Sequence, residues 1–349
     1  MIKQKGFTLI ELMISLALGL IISAAAILLF LTSGKSLSLQ QGVSDIQDNA
    51  NFGLNYITHD LRLTNLYTDQ SVINDATVNG GIVLTSSANP HKDISKTPPL
   101  ITSNLVSTIE GDTANINLLS RSPGAGVTVG SGDLWTGASN VKESGIDLAS
   151  DQLVIQYVPI YQLEKRKGVN FWVGGFDCEG KELVFSEADG KQVIVQRYFL
   201  RADANAGSSE PNKPLALACD SGHYSADITN NPKSITGFGS AGQIVMKRVD
   251  YFRVLLGVQD DALNRRRYYS INDYMNLTSA NKPRIVSLQL GMLIRSTQSV
   301  GAEATIKNDQ QFTVLDKTIT VKVPTQNTKY VRQVVSQTVA LRNAIGDRQ

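Results

Sequence analysis

Glu11 is the residue with the most to explain. It is the only charged side chain between Phe7 and Leu31, a stretch of apolar and small residues. An ionised carboxylate at the middle of a bilayer costs roughly 2.5–3.5 kcal/mol, so this one needs a partner. Two chemistries suit its place near the start of the run: pairing with an amine, or completing a helix N-terminus, where the macrodipole favours a negative charge. Cys178 and Cys219 are the only cysteines. In an oxidising compartment they could pair, closing a loop of about forty residues worth roughly 4 kcal/mol in chain entropy, or they could stay two separate buried thiols. With His59, His91 and His223 they lack metal-ligand spacing, so neither a metal nor a cofactor is expected. Asp220, Ser221 and His223 (CDSGH) contain hydrolase residue types, but catalytic triads are assembled in space rather than from near neighbours, and a polar loop is expected here. Gly124, Gly126, Gly130 and Gly132 have no strand-to-helix context for a phosphate loop. Asp260-Asp261 and Glu187-Asp189 lack the regular spacing of a calcium loop. Arg265-Arg266-Arg267 followed by Tyr268-Tyr269 could touch DNA phosphates and stack bases. A charge run of this kind is more often the solvated edge of a sheet.

The elements that must position Glu11 can be read from periodicity. A helix over residues 7–31 would be about 37 Å long, enough to cross a hydrocarbon core near 30 Å. Lys3 and Lys5 precede it and Lys35 is the next cation, which holds the N-terminus in the cytoplasm and sends the rest outward. The run is too long for the apolar region of a cleaved secretory signal. After Thr32 the residues turn polar, yet Val43, Ile46, Ala50, Leu54, Ile57 and Leu61 recur at steps of three and four, one stripe on a helix. Asp45, Gln47, Asn49, Asn55 and Arg62 fall on the other face. With no proline before Pro90, and Gly34, Gly42 and Gly53 only softening it, a single helix is expected over residues 7–66, about 90 Å long.

The segment Lys-Gly-Phe-Thr-Leu-Ile-Glu-Leu-Met at 5–13 resembles the processing signal of type IV prepilins and of the pseudopilins of type II secretion. The resemblance implies that a prepilin peptidase cuts between Gly6 and Phe7, that the new amine of Phe7 is methylated, and that Glu11 is kept for subunit assembly. Residues 1–6 are then a leader. The ammonium of Phe7 in an incoming subunit would meet the carboxylate of a neighbour inside an apolar bundle, offsetting the desolvation of both and favouring one axial register. Many major pilins carry a proline in the apolar half of this helix; here Gly19 is the only weak point.

From about Tyr67 the period changes to 2. Strands are expected over Ile285–Ser296, residues 318–323, Leu153–Tyr161, Gln192–Leu200, Val249–Val258, Arg267–Ile271 and the tail Val331–Leu341. Turn residues cluster at Asn79-Gly80-Gly81 and Ser122–Gly132. The chain has 349 residues, 18% of them charged, and a formal charge of +2, a balance that gives no reason to expect nucleic acid or acidic lipid as a bulk partner. The expected fold is α+β, a long helix laid on an antiparallel sheet, which is also the pilin fold. Residues 67–349 exceed a minimal pilin head, so an enlarged or second sheet is expected. Residues 247–256 (KRVDYFRVLL), 282–296 (KPRIVSLQLGMLIRS) and 332–343 (RQVVSQTVALRN) resemble the large minor pilins of the PilW family. That resemblance implies a low-abundance subunit, not an enzyme, that joins other minor pilins and the major pilin to prime the filament at its tip. It implies residence in the inner membrane with the head in the periplasm, and then in a surface pilus. The readings to be separated from it are a type II secretion pseudopilin and a membrane-anchored periplasmic enzyme.

Overall fold

The computed structural model describes residues 6, 8–68, 70–86, 90–93, 97–98, 100–105, 118–124, 127–205, 210, 213–227, 234–260, 265–278, 282–300, 306–307, 309–322 and 329–344. One helix, α1 (Leu9–Leu61), dominates the N-terminal part. It starts at Thr8, whose extended backbone and side-chain acceptor make it an N-cap. It ends at Leu61 and not near Leu66 as the spacing suggests. No proline stops it; instead Arg62–Tyr67 turn, with Asn65 and Tyr67 at φ 63° and 49°. The Asn65 side chain fixes this turn by donating to the carbonyls of Gln70 (2.7 Å) and Asn343 (3.0 Å). Leu63 and Leu66 keep helical spacing, but they pack on Tyr157, Leu183 and Ile194, away from the stripe.

The head is built from strands. Its first part holds β1 (Gly81–Ile82), β2 (His91–Asp93), β3 (Leu100–Thr102), β4 (Val141–Glu143) and β5 (Ile146–Asp147). Next come β6 (Leu153–Tyr157), β7 (Gln162–Arg166), β8 (Val169–Phe176) and β9 (Glu182–Ser186). Two long strands follow, β10 (Gln192–Ala202) and β11 (Leu215–Ser225), and then β12 (Gln243–Lys247) and β13 (Val249–Asp260). The remainder is β14 (Arg265–Ser270), the short helix α2 (Ile271–Met275), β15 (Arg284–Arg295), β16 (Gln311–Val314), β17 (Lys317–Val321) and β18 (Arg332–Ala340).

Two sheets carry the core, ordered β1-β6-β10-β11-β12 and β14-β13-β15-β18, and every pairing in them is antiparallel. The chain passes from one to the other at Arg248 (φ 57°), held there by Asp203 (2.6 Å) and Glu210 (2.7 Å). Ile46, Ala50, Ile57 and Leu61 of α1 share one buried cluster with Leu217 and Cys219 of the first sheet and Phe252, Leu256 and Leu290 of the second. Most of the stripe therefore has the destination it predicts, across two sheets; Leu54 is only partly buried against the cluster, and Val43 at the start of the stripe stays exposed. Gly42 and Gly53 do more than soften it. A Cβ at Gly42 would sit 3.3 Å from Val331 Cγ2, and one at Gly53 would collide with the Met246 side chain, so both mark where helix and strands touch.

The expected strands are present with shifted ends: β6 stops at Tyr157, β10 runs on to Ala202, and β15 spans Arg284–Arg295. Ile271 is not strand but opens α2, capped by Ser270, whose Oγ accepts from Asp273 N–H at 3.0 Å. Residues 323–328 lie outside the described ones, so the end of the strand expected at 318–323 is seen only to Val321.

Candidate functional site

The N-terminal segment is one candidate site. Gly6 is described and exposed, while Phe7, Lys3 and Lys5 lie outside the described residues. Glu11 stands at the third position of α1 and closes a reciprocal cap with Thr8. Its Oε2 accepts from the Thr8 N–H at 3.0 Å and the Thr8 hydroxyl at 2.9 Å, and its own N–H donates to Thr8 Oγ1 at 3.3 Å. This arrangement satisfies backbone donors that a helix start leaves open. Beyond it, Ser15, Ser23 and Thr32 each turn their hydroxyl back to the carbonyl four residues before, at 2.7–2.8 Å. These polar side chains are thus spent inside the helix, as hydrocarbon surroundings demand. Every described residue from Leu9 to Leu31 is exposed, and the most apolar part of this helix has a mean hydropathy of 2.7. Such a helix is long and apolar enough to cross a membrane, and its half outside the head awaits lipid or other helices.

Cys178 and Cys219 form a disulfide, separated by 41 residues. It ties the turn after β8 to the middle of β11, joining the three-stranded sheet β7-β8-β9 to the main sheet. The Tyr56 hydroxyl donates to Cys178 O at 3.0 Å, so the helix is fastened at the same point. One turn on, Tyr198 donates to the Asp60 carboxylate at 2.6 Å. Burial pushes the Asp60 carboxyl up, against the pull of the Tyr198 and His59 hydrogen bonds. The turn Asp177–Lys181 is folded around Asp177 Oδ1, which accepts from the N–H groups of Glu179 (3.0 Å) and Lys181 (2.9 Å). Burial, with Asp220 and Asp177 nearby, raises the Glu179 carboxyl to about 7.

The CDSGH stretch is not a loop but part of β11, with Cys219 and Asp220 fully buried. Strand alternation separates its hydrolase residues: Asp220 faces one side, Ser221 and His223 the other. The Asp220 carboxylate is taken up by Arg197 (3.1 Å), by Gly239 N–H (2.9 Å) and by Ser240. The His223 ring lies 4.7 Å from the Phe185 ring, and burial lowers its pKa. His59 is beside Asp60, and His91 is 2.7 Å from the buried Asp75, so the three histidines do not converge. Gly124 backs onto Asn272 and Gly130 onto Leu134, while Gly126 lies outside the described residues. Glu187 accepts from Asn170 at 2.9 Å and Asp189 from Ser186 at 2.6 Å. Asp261 lies outside the described residues. Among the described residues, no three His, Cys, Asp or Glu side chains gather as metal ligands would.

Periodicity did not foretell the buried ion pairs. Arg253 reaches Asp151 (3.3 Å) and Asp316 (2.6 Å) on the side of the second sheet away from α1. Arg295 pairs with Glu210, and Arg332 with Asp250 at 2.8 Å. Each acid is far from its partner in sequence, and only the excess of arginine in the strand segments hinted at them.

Compared with known proteins, residues 197–343 match the family of type IV pilus-assembly protein W, and residues 1–27 match the prokaryotic N-terminal methylation motif. No curated protein matches the chain. Among solved structures, the type IV-like pilin TTHA1219 from Thermus thermophilus is similar at 13% identity, over 56% of this chain and 78% of that one, with a TM-score of 0.22. The α+β assignment rests on the chain's own elements.

Proposed function

We propose that the chain is a minor pilin, similar over residues 197–343 to type IV pilus-assembly protein W and over residues 1–27 to the methylation motif, and that it primes pilus assembly within a complex of minor pilins at the filament tip. A prepilin peptidase removes residues 1–6 by cutting between Gly6 and Phe7, and the amine of Phe7 is methylated. The chain is held in the inner membrane by residues 7–31, with residues 67–349 in the periplasm, until it enters a surface pilus beside other minor pilins and the major pilin. Glu11 then trades its cap for the ammonium of a neighbouring subunit. The observation that carries this reading is the methylation motif at 1–27, leading into an uninterrupted helix whose apolar half is wholly exposed. An exposed apolar rod of that length is stable in lipid or in a bundle of like helices, where packing replaces the bilayer.

The role is structural and not catalytic. The dispersal of Asp220, Ser221 and His223 over two faces of β11 supports this. Deleting the gene tests the priming role: surface pili and twitching should be lost and restored by the wild-type gene. Retained pili with a defect in protein secretion would instead identify a type II pseudopilin, which shares the same leader.

A further inference from the structure

Strand β18 is the outer strand of the second core sheet, and among the described residues its one strand partner is β15. The pairing runs from Arg332 opposite Arg295 to Ala340 opposite Ser287 with no shift in register. The two ends of this ladder show which backbone groups it uses. Ser296 N–H donates to Val331 O and Leu341 N–H to Val286 O, both at 2.9 Å. Hydrogen-bonded pairs alternate along an antiparallel ladder. Gln333, Val335, Gln337 and Val339 therefore turn their N–H and C=O to β15, while Val334, Ser336, Thr338 and Ala340 turn theirs outward. Among the described residues nothing takes up those outward groups, and Ser336, Gln337, Thr338 and Ala340 are exposed.

A row of open donors and acceptors invites pairing with another chain, and native edges are blunted by charge, shortness, a register shift or a cover. The other edges of the two core sheets are blunted in these ways. β1 is two residues long. β12 meets a register shift at Leu217/Ala218, and Asn49 of α1 takes both the C=O (2.7 Å) and the N–H (3.2 Å) of Lys247. β14 carries the run Arg265-Arg266-Arg267, all three exposed. β18 has nine residues without proline or glycine, and its single charge, Arg332, is held by Asp250 at 2.8 Å. From Gln333 to Ala340 it is uncharged. Its apolar side chains are already committed: Val335 and Val339 to the cluster under α1, and Val334 to the cluster of the β16–β17 hairpin. What stays open is the edge.

We propose that the outer edge of β18 takes up an extended, uncharged segment from the head of a neighbouring pilin-type subunit, which joins the second sheet as a further strand. Main-chain hydrogen bonds supply the affinity of such a strand addition. The segment is uncharged because a charge laid along Gln333–Ala340 would lose water and meet no opposite charge. A subunit head is the occupant because of where the edge lies. A Cβ at Gly42 would touch Val331, and Asn343 Nδ2 donates to the carbonyls of Arg62 (3.3 Å) and Thr64 (3.0 Å). β18 thus runs beside α1 along the part of the helix that is seated on the head. Such a neighbour presupposes the assembly proposed above, since a parallel helix packed along Leu9–Leu31 is what brings a second head alongside.

The test places a photo-crosslinking amino acid at Thr338 of the full chain in piliated cells and reads the joined peptides by mass spectrometry. The expected product joins β18 to an uncharged head segment of a different chain that carries the same N-terminal methylation motif. Two variants accompany it. Ser336→Lys puts a charge on the edge, and Thr338→Pro removes an outward N–H that the fold does not use. Each should lower the amount of the protein in sheared pili by about tenfold, as leaving one buried carbonyl without its donor would. The cut after Gly6 and the thermal melt in detergent micelles should stay as in wild type. Gln337→Pro, which removes an N–H given to β15, should melt lower. If Thr338→Pro melts lower as well, Ser336→Lys carries the comparison, since it touches no ladder bond. Entry of both variants into pili at the wild-type level would overturn the edge as an assembly surface. A crosslink to β18 of a second copy, or to no protein, would overturn the assigned occupant. Should wild type itself be missing from pili, the assembly reading fails separately, and the crosslinked peptide alone decides whether the edge binds a strand.

Discussion

Glu11 has one job in the structure and a second in the assembly proposed above. In the structure its carboxylate is spent on Thr8, where it satisfies the N–H of the N-cap residue. In the proposed filament it meets an ammonium. Two substitutions separate these jobs, because glutamine keeps an acceptor for the cap and loses the charge. Glu11→Ala and Glu11→Gln should both be cut after Gly6 and both be depleted about tenfold or more from sheared pili, a deficit above about 1.4 kcal/mol. If Glu11→Gln enters pili as wild type does, capping is the whole role. At Glu179 the folded carboxyl has a pKa of about 7 against 4.5 ordinarily. The native state thus holds the proton more tightly than the unfolded chain. The stability this adds is complete below pH 4.5 and lost as pH rises through 7. Glu179→Gln should melt like wild type near pH 4 and slightly above it at pH 8, by less than about 1 kcal/mol since the group is only partly buried and solvent screens it. A thermal melt followed by circular dichroism at both pH values checks this, and an equal difference at the two would contradict it.

What was legible at the scale of elements depended on how many faces of an element are buried. The stripe Ile46, Ala50, Ile57, Leu61 was plain because α1 buries one face only, and so was the alternation of β15. β11 was missed because it is buried on both sides: Leu217 and Cys219 face the helix, and Tyr224 enters a second cluster. Its Asp220 and Ser221 look like loop residues until Arg197, directly opposite Asp220 in the β10–β11 ladder, is seen to neutralise the acid. The methylation motif at 1–27 could be read because its residues sit within a few positions of one another. The pairing of Arg332 with Asp250 could not, since the two lie far apart in the sequence. The helix–sheet contact can be tested at Gly53, where a side chain has no room beside Met246. Gly53→Val should destabilise the head by about 1–3 kcal/mol in thermal unfolding. Adding Met246→Ala should recover part of the loss, because it removes the colliding atoms. A Gly53→Val protein as stable as wild type would mean that the helix is not seated there.

At the scale of the whole molecule the chain divides its labour along α1. The half from Ile46 to Leu61 is committed to the head, fastened by the Tyr56 and Asp60 hydrogen bonds and by its seat on two sheets. The half from Leu9 to Leu31 is exposed along its whole length and carries no charge except Glu11. A disulfide and buried arginine–carboxylate pairs stiffen the head around that joint, so force or packing on the free half is delivered to a rigid body. Such a build suits a subunit that leaves the bilayer for a filament as one piece. The measurement that tests this most directly is mass spectrometry of the protein recovered from sheared pili. The account predicts an N-terminal peptide that begins at Phe7 and bears one methyl group on its amine. A protein in those pili that still begins at Met1 would contradict it.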